Sequence, residues 1–150
     1  MKAIKKSIYN KLLNITESKI KNLQNDINSK IISRDSDTKS SAGDKHETSR
    51  AKIQIEIDQL YKQLFNLNQR IQVLSKIEIK KKFKSVGLGS LVHTNIGIYF
   101  IAIGHGQISF EKNKYYAISL ASPLGLKLRD KFVGDEFTFN SSNYRIIKIY

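Results

Sequence analysis

The chain contains no cysteine, which removes disulfides, thiolate metal sites and thiol nucleophiles together, because each needs sulfur. It has no tryptophan and a single proline, Pro123, in 150 residues. No run of eighteen apolar residues occurs and no charged, apolar, small-residue leader opens the sequence. Neither a membrane span nor a secretory signal is readable, and the expected compartment is the cytoplasm. The three histidines, His46, His93 and His105, have no metal-ligand spacing, which argues against a stable zinc site. Acid is scarce as well: 13 Asp and Glu stand against 26 Lys and Arg, for a net charge of +13. Residues 1–84 carry 19 basic side chains against 9 acidic ones, while residues 85–150 carry 7 against 4. Clustered ammonium groups imply a polyanionic neighbour, either nucleic acid or an acidic protein surface; a well-solvated helical surface is the plainer alternative.

What is present falls into two halves. Ile53, Ile57, Leu60, Leu64, Leu67, Ile71 and Leu74 recur in steps of four and three, the seam of a coiled coil. Ile4, Ile8, Leu12, Ile15, Ile20, Leu23, Ile27 and Ile31 form a looser version that reads as the partner helix. Between them Ser33–Ser41 is polar and rich in turn and capping residues, so the chain is expected to reverse there. Two helices of roughly thirty residues make an antiparallel hairpin on the order of 45 Å long at 1.5 Å per residue. After Ile77 the seam ends, and Gly87 and Gly89 break any helix. Strands are then expected at Ser90–Thr94, Ile98–Ile103, Tyr115–Leu120, Phe137–Phe139 and Tyr144–Ile149, where β-branched and aromatic residues concentrate. Pro123 opens a short amphipathic helix. The expected fold class is α+β: a hairpin over 1–80 with its tip near 33–47, a linker over 81–88, and a small sheet domain with one short helix over 89–150.

The segment ISLASPLGLKLRDKFVGDEFTF, Ile118–Phe139, with Gly89, Ser90 and Val92 ahead of it, resembles the carboxy-terminal domain of the Gre transcript-cleavage family. There a strand ends in Ser-Pro, a short helix follows, and Gly-Asp leads into the next strand. The resemblance covers about the last 65 residues and implies an FKBP-like fold. At the turn between the helices stands Ala42-Gly43-Asp44-Lys45-His46-Glu47, which is similar to the family's Gly-Asp-x-x-Glu tip motif. By spacing alone Asp44 and Glu47 also make a capping box, with Asp44 as the cap and Glu47 reaching back to the cap amide. The two roles are compatible, because one carboxylate oxygen can cap while another faces an ion.

The resemblance implies a transcription elongation factor that enters the secondary channel of bacterial RNA polymerase. There Asp44 and Glu47 help hold a catalytic Mg²⁺, an ion that takes oxygen ligands and commonly one or two carboxylates plus water. The chain is then an accessory factor and not itself an enzyme: the polymerase cuts its own nascent RNA, and the Mg²⁺ is held mainly by the polymerase, with none bound stably by the free chain. Polymerase and nascent RNA are the partners, no membrane is involved, and the expected state is a monomer. His46 and Arg50 are weaker contact candidates for RNA or polymerase, with an ion pair from Arg50 to Glu47 or Glu56 as the commoner outcome. Ser122 and Pro123 match the family's docking element, although Ala121 stands where some members carry an acid. Thr48, Ser49 and Arg50 depart from the usual tip sequence. The competing readings are a channel-binding regulator without cleavage, a prolyl-isomerase or peptide-binding module, and a basic coiled coil that binds nucleic acid directly.

Overall fold

A computed structural model describes residues 1–36 and 43–150, and at residues 43, 44 and 46 the main chain only. The chain folds as a long helical hairpin followed by a six-stranded sheet with one short helix, an α+β arrangement. It divides into two compact units, Asn14–Ile71 on one side and Met1–Leu13 together with Gln72–Tyr150 on the other.

Helix α1 runs over Lys2–Ser36 and α2 over Gly43–Ser75. Neither contains a proline, and beyond the opening Gly43 neither contains a glycine, so nothing in the interiors costs the roughly 1–3 kcal/mol of a helix breaker. In α2 the least exposed positions are those of the expected seam, with Ile57 at 1% and Leu74 at 0% exposure. The other seam residues are half-buried, since a single partner helix covers only one side of each. In α1 the buried residues Ile8, Leu12, Leu23 and Ile27 follow the expected stripe, but Thr16 is buried at 4% where Ile15 was expected. Lys5, next to the expected Ile4, is 1% exposed. Cross-helix bonds fix the antiparallel register. In the Asn14–Ile71 unit Lys30 pairs with Glu56, and Arg34 Nη1 donates to Gln54 Oε1 at 2.7 Å. In the other unit Tyr9 Oη donates to the Leu74 carbonyl at 3.2 Å. Helix α2 ends by tightening, with Lys76 N donating to Val73 O at 3.2 Å and Ile77 N to Leu74 O at 3.1 Å.

The strands are β1 Leu91–Thr94, β2 Ile98–Ile101, β3 Gly106–Phe110, β4 Asn113–Ile118, β5 Glu136–Phe139 and β6 Ser142–Ile149, in the order β3-β4-β2-β1-β6-β5. All neighbours are antiparallel except β2 and β4. Strand β3 is the element absent from the sequence expectations. It pairs along its whole length with β4 through the two-residue loop Glu111–Lys112, whose φ angles of 46° and 64° make a primed turn without Asn or Gly. The β5–β6 loop is likewise two residues, Asn140–Ser141 with φ 48° and 62°. Ser142 and Asn143 therefore open β6, two residues before its expected start at Tyr144.

The sheet core joins Val86, Val92, Tyr99, Ile101, Leu128, Tyr144 and Ile146. An aromatic row crosses it: Tyr99 stacks on Tyr116 at 5.7 Å between ring centres and Phe137 on Tyr144 at 5.0 Å. Burial first, and then the bond with Tyr144, pushes the Tyr99 phenol well above its ordinary range. Within residues 81–88, read from the sequence as a linker, Lys81, Lys82 and Lys84 are exposed while Val86 is buried and hydrogen-bonded. Val86 N donates to Lys131 O at 2.8 Å and Asp130 N to Val86 O at 3.0 Å. At Gly89, with φ +88°, a Cβ would sit 2.9 Å from Ile77 Cγ2, so only glycine fits between Ile77 and Phe83.

Candidate functional site

The acid pair sits where the second helix starts. Helix α2 begins at Gly43, so Asp44 stands inside its first turn and not before it. Three residues at 100° each bring Asp44 and Glu47 back to within about 60° of each other around the axis, one turn apart. Glu47 is exposed. The side chains of Asp44 and His46, and the whole of residues 37–42 with Asp37 and Ala42, lie outside the described residues. His46, two positions from Asp44, falls on a different face of the helix. Arg50 continues the stripe of Asp44 and Glu47, and it is exposed. Among the described residues it makes no ion pair, and Glu56, its expected intrahelical partner, pairs instead with Lys30 on α1.

Just behind this end the two helices are tied by polar side chains. Arg34 bridges Asp35 Oδ1, at 3.0 Å from Nε, and Gln54; Gln54 Nε2 in turn donates to Asp58 Oδ1 at 2.9 Å. Helix α1 runs to Ser36, three residues beyond the start of the expected loop, and Ser36 Oγ donates back to Ile32 O at 2.8 Å. Asp35 thus belongs to a helical turn and to this polar tie. An Arg held by a carboxylate and an amide on both helices has little freedom left, which fixes where the last turns of α1 meet α2.

Helix α3, Pro123–Leu128, is set by its cap. Ser122 Oγ accepts from Gly125 N at 3.0 Å and donates to Ser119 O at 2.7 Å, while Pro123 occupies the first helical position. Gly125 is required: a Cβ there would lie 1.9 Å from the Ser119 carbonyl oxygen. The Ser122 hydroxyl is consumed inside the loop, and Ala121 and Pro123 are the exposed members. Leu126, Phe132 and Val133 nearby in sequence are exposed as well. Gly134 and Asp135 form a turn, in which Asp135 Oδ2 accepts from Phe132 N at 2.8 Å.

One cluster escaped sequence reading. The Lys5 ammonium lies 4.6 Å from the centre of the Phe83 ring and donates to the main-chain oxygen of Tyr150, the last residue of the sequence, at 3.3 Å. Burial lowers its pKa to about 8. Lys81 lies 5.4 Å from the same ring. No signal in the sequence joins Lys5 to a segment 78 residues away, and the KKKFK run reads in isolation as a solvated stretch. No helix among the described residues is long and apolar enough to cross a membrane. Comparison with known families and with curated proteins finds no family model and no protein that matches this chain.

Proposed function

We propose that the chain is a Gre-type transcription elongation factor, which binds bacterial RNA polymerase through the secondary channel and stimulates cleavage of nascent RNA in backtracked complexes. The observation that carries this reading is the pairing of Asp44 and Glu47, three residues apart in the first turns of α2 at the closed end of a hairpin whose helices hold 35 and 33 residues. Within the Asn14–Ile71 unit, Glu47 lies about 36 Å along the axis of α2 from Ile71. A carboxylate there can enter a passage too narrow for a globular domain. The polar tie of Arg34, Gln54 and Asp58 holds the last turns steady beneath it.

By donor chemistry the pair suits a hard divalent cation such as Mg²⁺, with the remaining ligands supplied by the polymerase. The ion, when bound, lowers the pKa of water and stabilises the leaving oxygen of an in-line phosphoryl displacement. The work of this chain is positional: Asp44 and Glu47 add negative oxygen ligands on one helical stripe, and Arg50 extends that stripe with a cation able to meet a phosphate. The exposed Ala121–Pro123 loop supplies the docking contact, with Ser122 shaping it from within.

Purified polymerase stalled by backtracking tests the reading. Wild-type chain shortens the nascent RNA, and Asp44→Ala or Glu47→Ala slows shortening by about 10- to 100-fold while leaving competition for the channel intact. Channel competition by the wild type without any shortening would instead establish a regulator that lacks cleavage activity.

A further inference from the structure

Strand β3 forms one edge of the sheet, with β4 as its single neighbour. The two-residue loop to β4 makes Phe110 and Asn113 a hydrogen-bonded pair, and such pairs alternate along an antiparallel ladder. Ile108 and Gly106 therefore also bond across to β4, while the main-chain groups of Gln107 and Ser109 point away from it, toward the open side. There the Lys11 ammonium donates to the Ser109 carbonyl at 2.9 Å. Lys11 and β3 belong to the same compact unit, Met1–Leu13 with Gln72–Tyr150, so this bond is internal to it.

An open edge strand is a template for another strand, and β3 is complementary to itself. Two copies of the chain related by a two-fold axis and paired antiparallel about Ile108 set Gln107 of each against Ser109 of the other, the residues whose main-chain groups face outward. Ile108 is buried while Gln107 and Ser109 are exposed, and an axis perpendicular to the sheet leaves each of them on the face it already occupies. The same register brings the exposed Glu111 of one copy level with His105 of the other, an acid facing a base. The hydrogen bonds of such a joint come in two reciprocal pairs, and each pair uses a Ser109 carbonyl.

Lys11 occupies that carbonyl. It also carries a charge that repels its own copy across the axis, since an ammonium can donate but never accept. We propose that Lys11 guards the β3 edge: the strand is a latent interface for a second copy of this chain, and the bond from Lys11 to Ser109 keeps it closed. The inference does not depend on the function proposed above. Because the joint is isologous, opening it yields a closed dimer and not a growing ribbon.

Sedimentation equilibrium of the full chain over a wide range of concentration tests it. Lys11→Ala is expected to dimerise about tenfold or more tightly than the wild type, because the freed carbonyls restore a hydrogen bond to each pair and the like charges are gone. Lys11→Arg keeps a donor and a charge at the edge and behaves as the wild type. Gln107→Pro, added to Lys11→Ala, removes an outward N–H that β4 does not use and returns the chain to the wild-type state. Lys11 is exposed, so its replacement leaves the core intact. A Lys11→Ala chain no more associated than the wild type at any concentration overturns the guard, and so does a wild type that dimerises as tightly as the variant. A Lys11→Ala dimer that Gln107→Pro leaves untouched overturns it as well, since the copies then meet elsewhere.

Discussion

Lys5 is a charge held under an aromatic ring, and its stability effect has a sign that pH can read. Its pKa is about 8 in the fold against 10.5 for the free side chain. Below pH 8 folded and unfolded chains both carry the proton, and the fold bears the full cost of burying it. Between 8 and 10.5 the folded chain releases the proton while the unfolded chain keeps it, so stability rises with pH across that window. Lys2, Lys81, Lys82 and Tyr150 flank Lys5, so a comparison of wild type with a Lys5 variant reads Lys5 together with its coupling to them. Lys5→Met is thus expected to be more stable than wild type at pH 7 and to lose that excess by pH 10.5. Urea midpoints at the two pH values measure it, and an equal excess at both would show that Lys5 titrates normally. Ser122 offers a second residue-scale test. Its hydroxyl caps α3 and ties Ser119, so Ser122→Ala costs about 1 kcal/mol of stability. Pro123→Ala removes an exposed ring at the first helical position; it is expected to leave the melting temperature nearly unchanged and, on the docking role proposed for this loop, to weaken capture by polymerase.

Among the elements, the hairpin depends on few residues. Ile57 is the one fully buried seam residue of α2 within the Asn14–Ile71 unit, at 1% exposure. Truncation there leaves a cavity that the half-buried neighbours only partly close. Ile57→Ala should cost about 2–5 kcal/mol and melt the helices ahead of the sheet, with the far-ultraviolet helical signal falling before the near-ultraviolet tyrosine signal of Tyr99 and Tyr144. A single coincident transition would mean that the two units unfold together. The seam of α2 was legible because its seven residues repeat without interruption and polar residues fill the other faces. That of α1 was legible only in part: Thr16 is buried where Ile15 offered the better hydrophobe, since the position facing the partner is set by the register of the pair and not by the residue placed there. Strand β3 was not legible at all, because GQISF begins with glycine and its loop Glu111–Lys112 uses residues that seldom adopt positive φ. The Ser-Pro step at the start of α3 and the turn at Gly134–Asp135 could be read because each is a local pattern. The lysine cluster about Phe83 could not, because the fold brings Lys5 to it from 78 residues away in the sequence.

For the whole molecule the dominant quantity is the charge of +13, most of it on residues 1–84. Such an excess accelerates encounter with a polyanionic partner and contributes little to chemistry once the partner is bound. The two effects separate by salt. Exposed lysines act over a Debye length that falls from about 10 Å at 0.1 M to about 3 Å at 1 M. The association rate with polymerase is therefore expected to drop steeply, by about tenfold or more, between 0.05 and 0.5 M potassium chloride. The rate of RNA shortening at saturating chain should change far less over the same range, because the carboxylates of Asp44 and Glu47 would act at contact distance on an ion already enclosed. Stopped-flow binding and single-turnover cleavage, run on one stalled complex across the salt series, give both numbers. Parallel losses in the two rates would place the lysines at the reacting centre and take from the acid pair the role assigned to it.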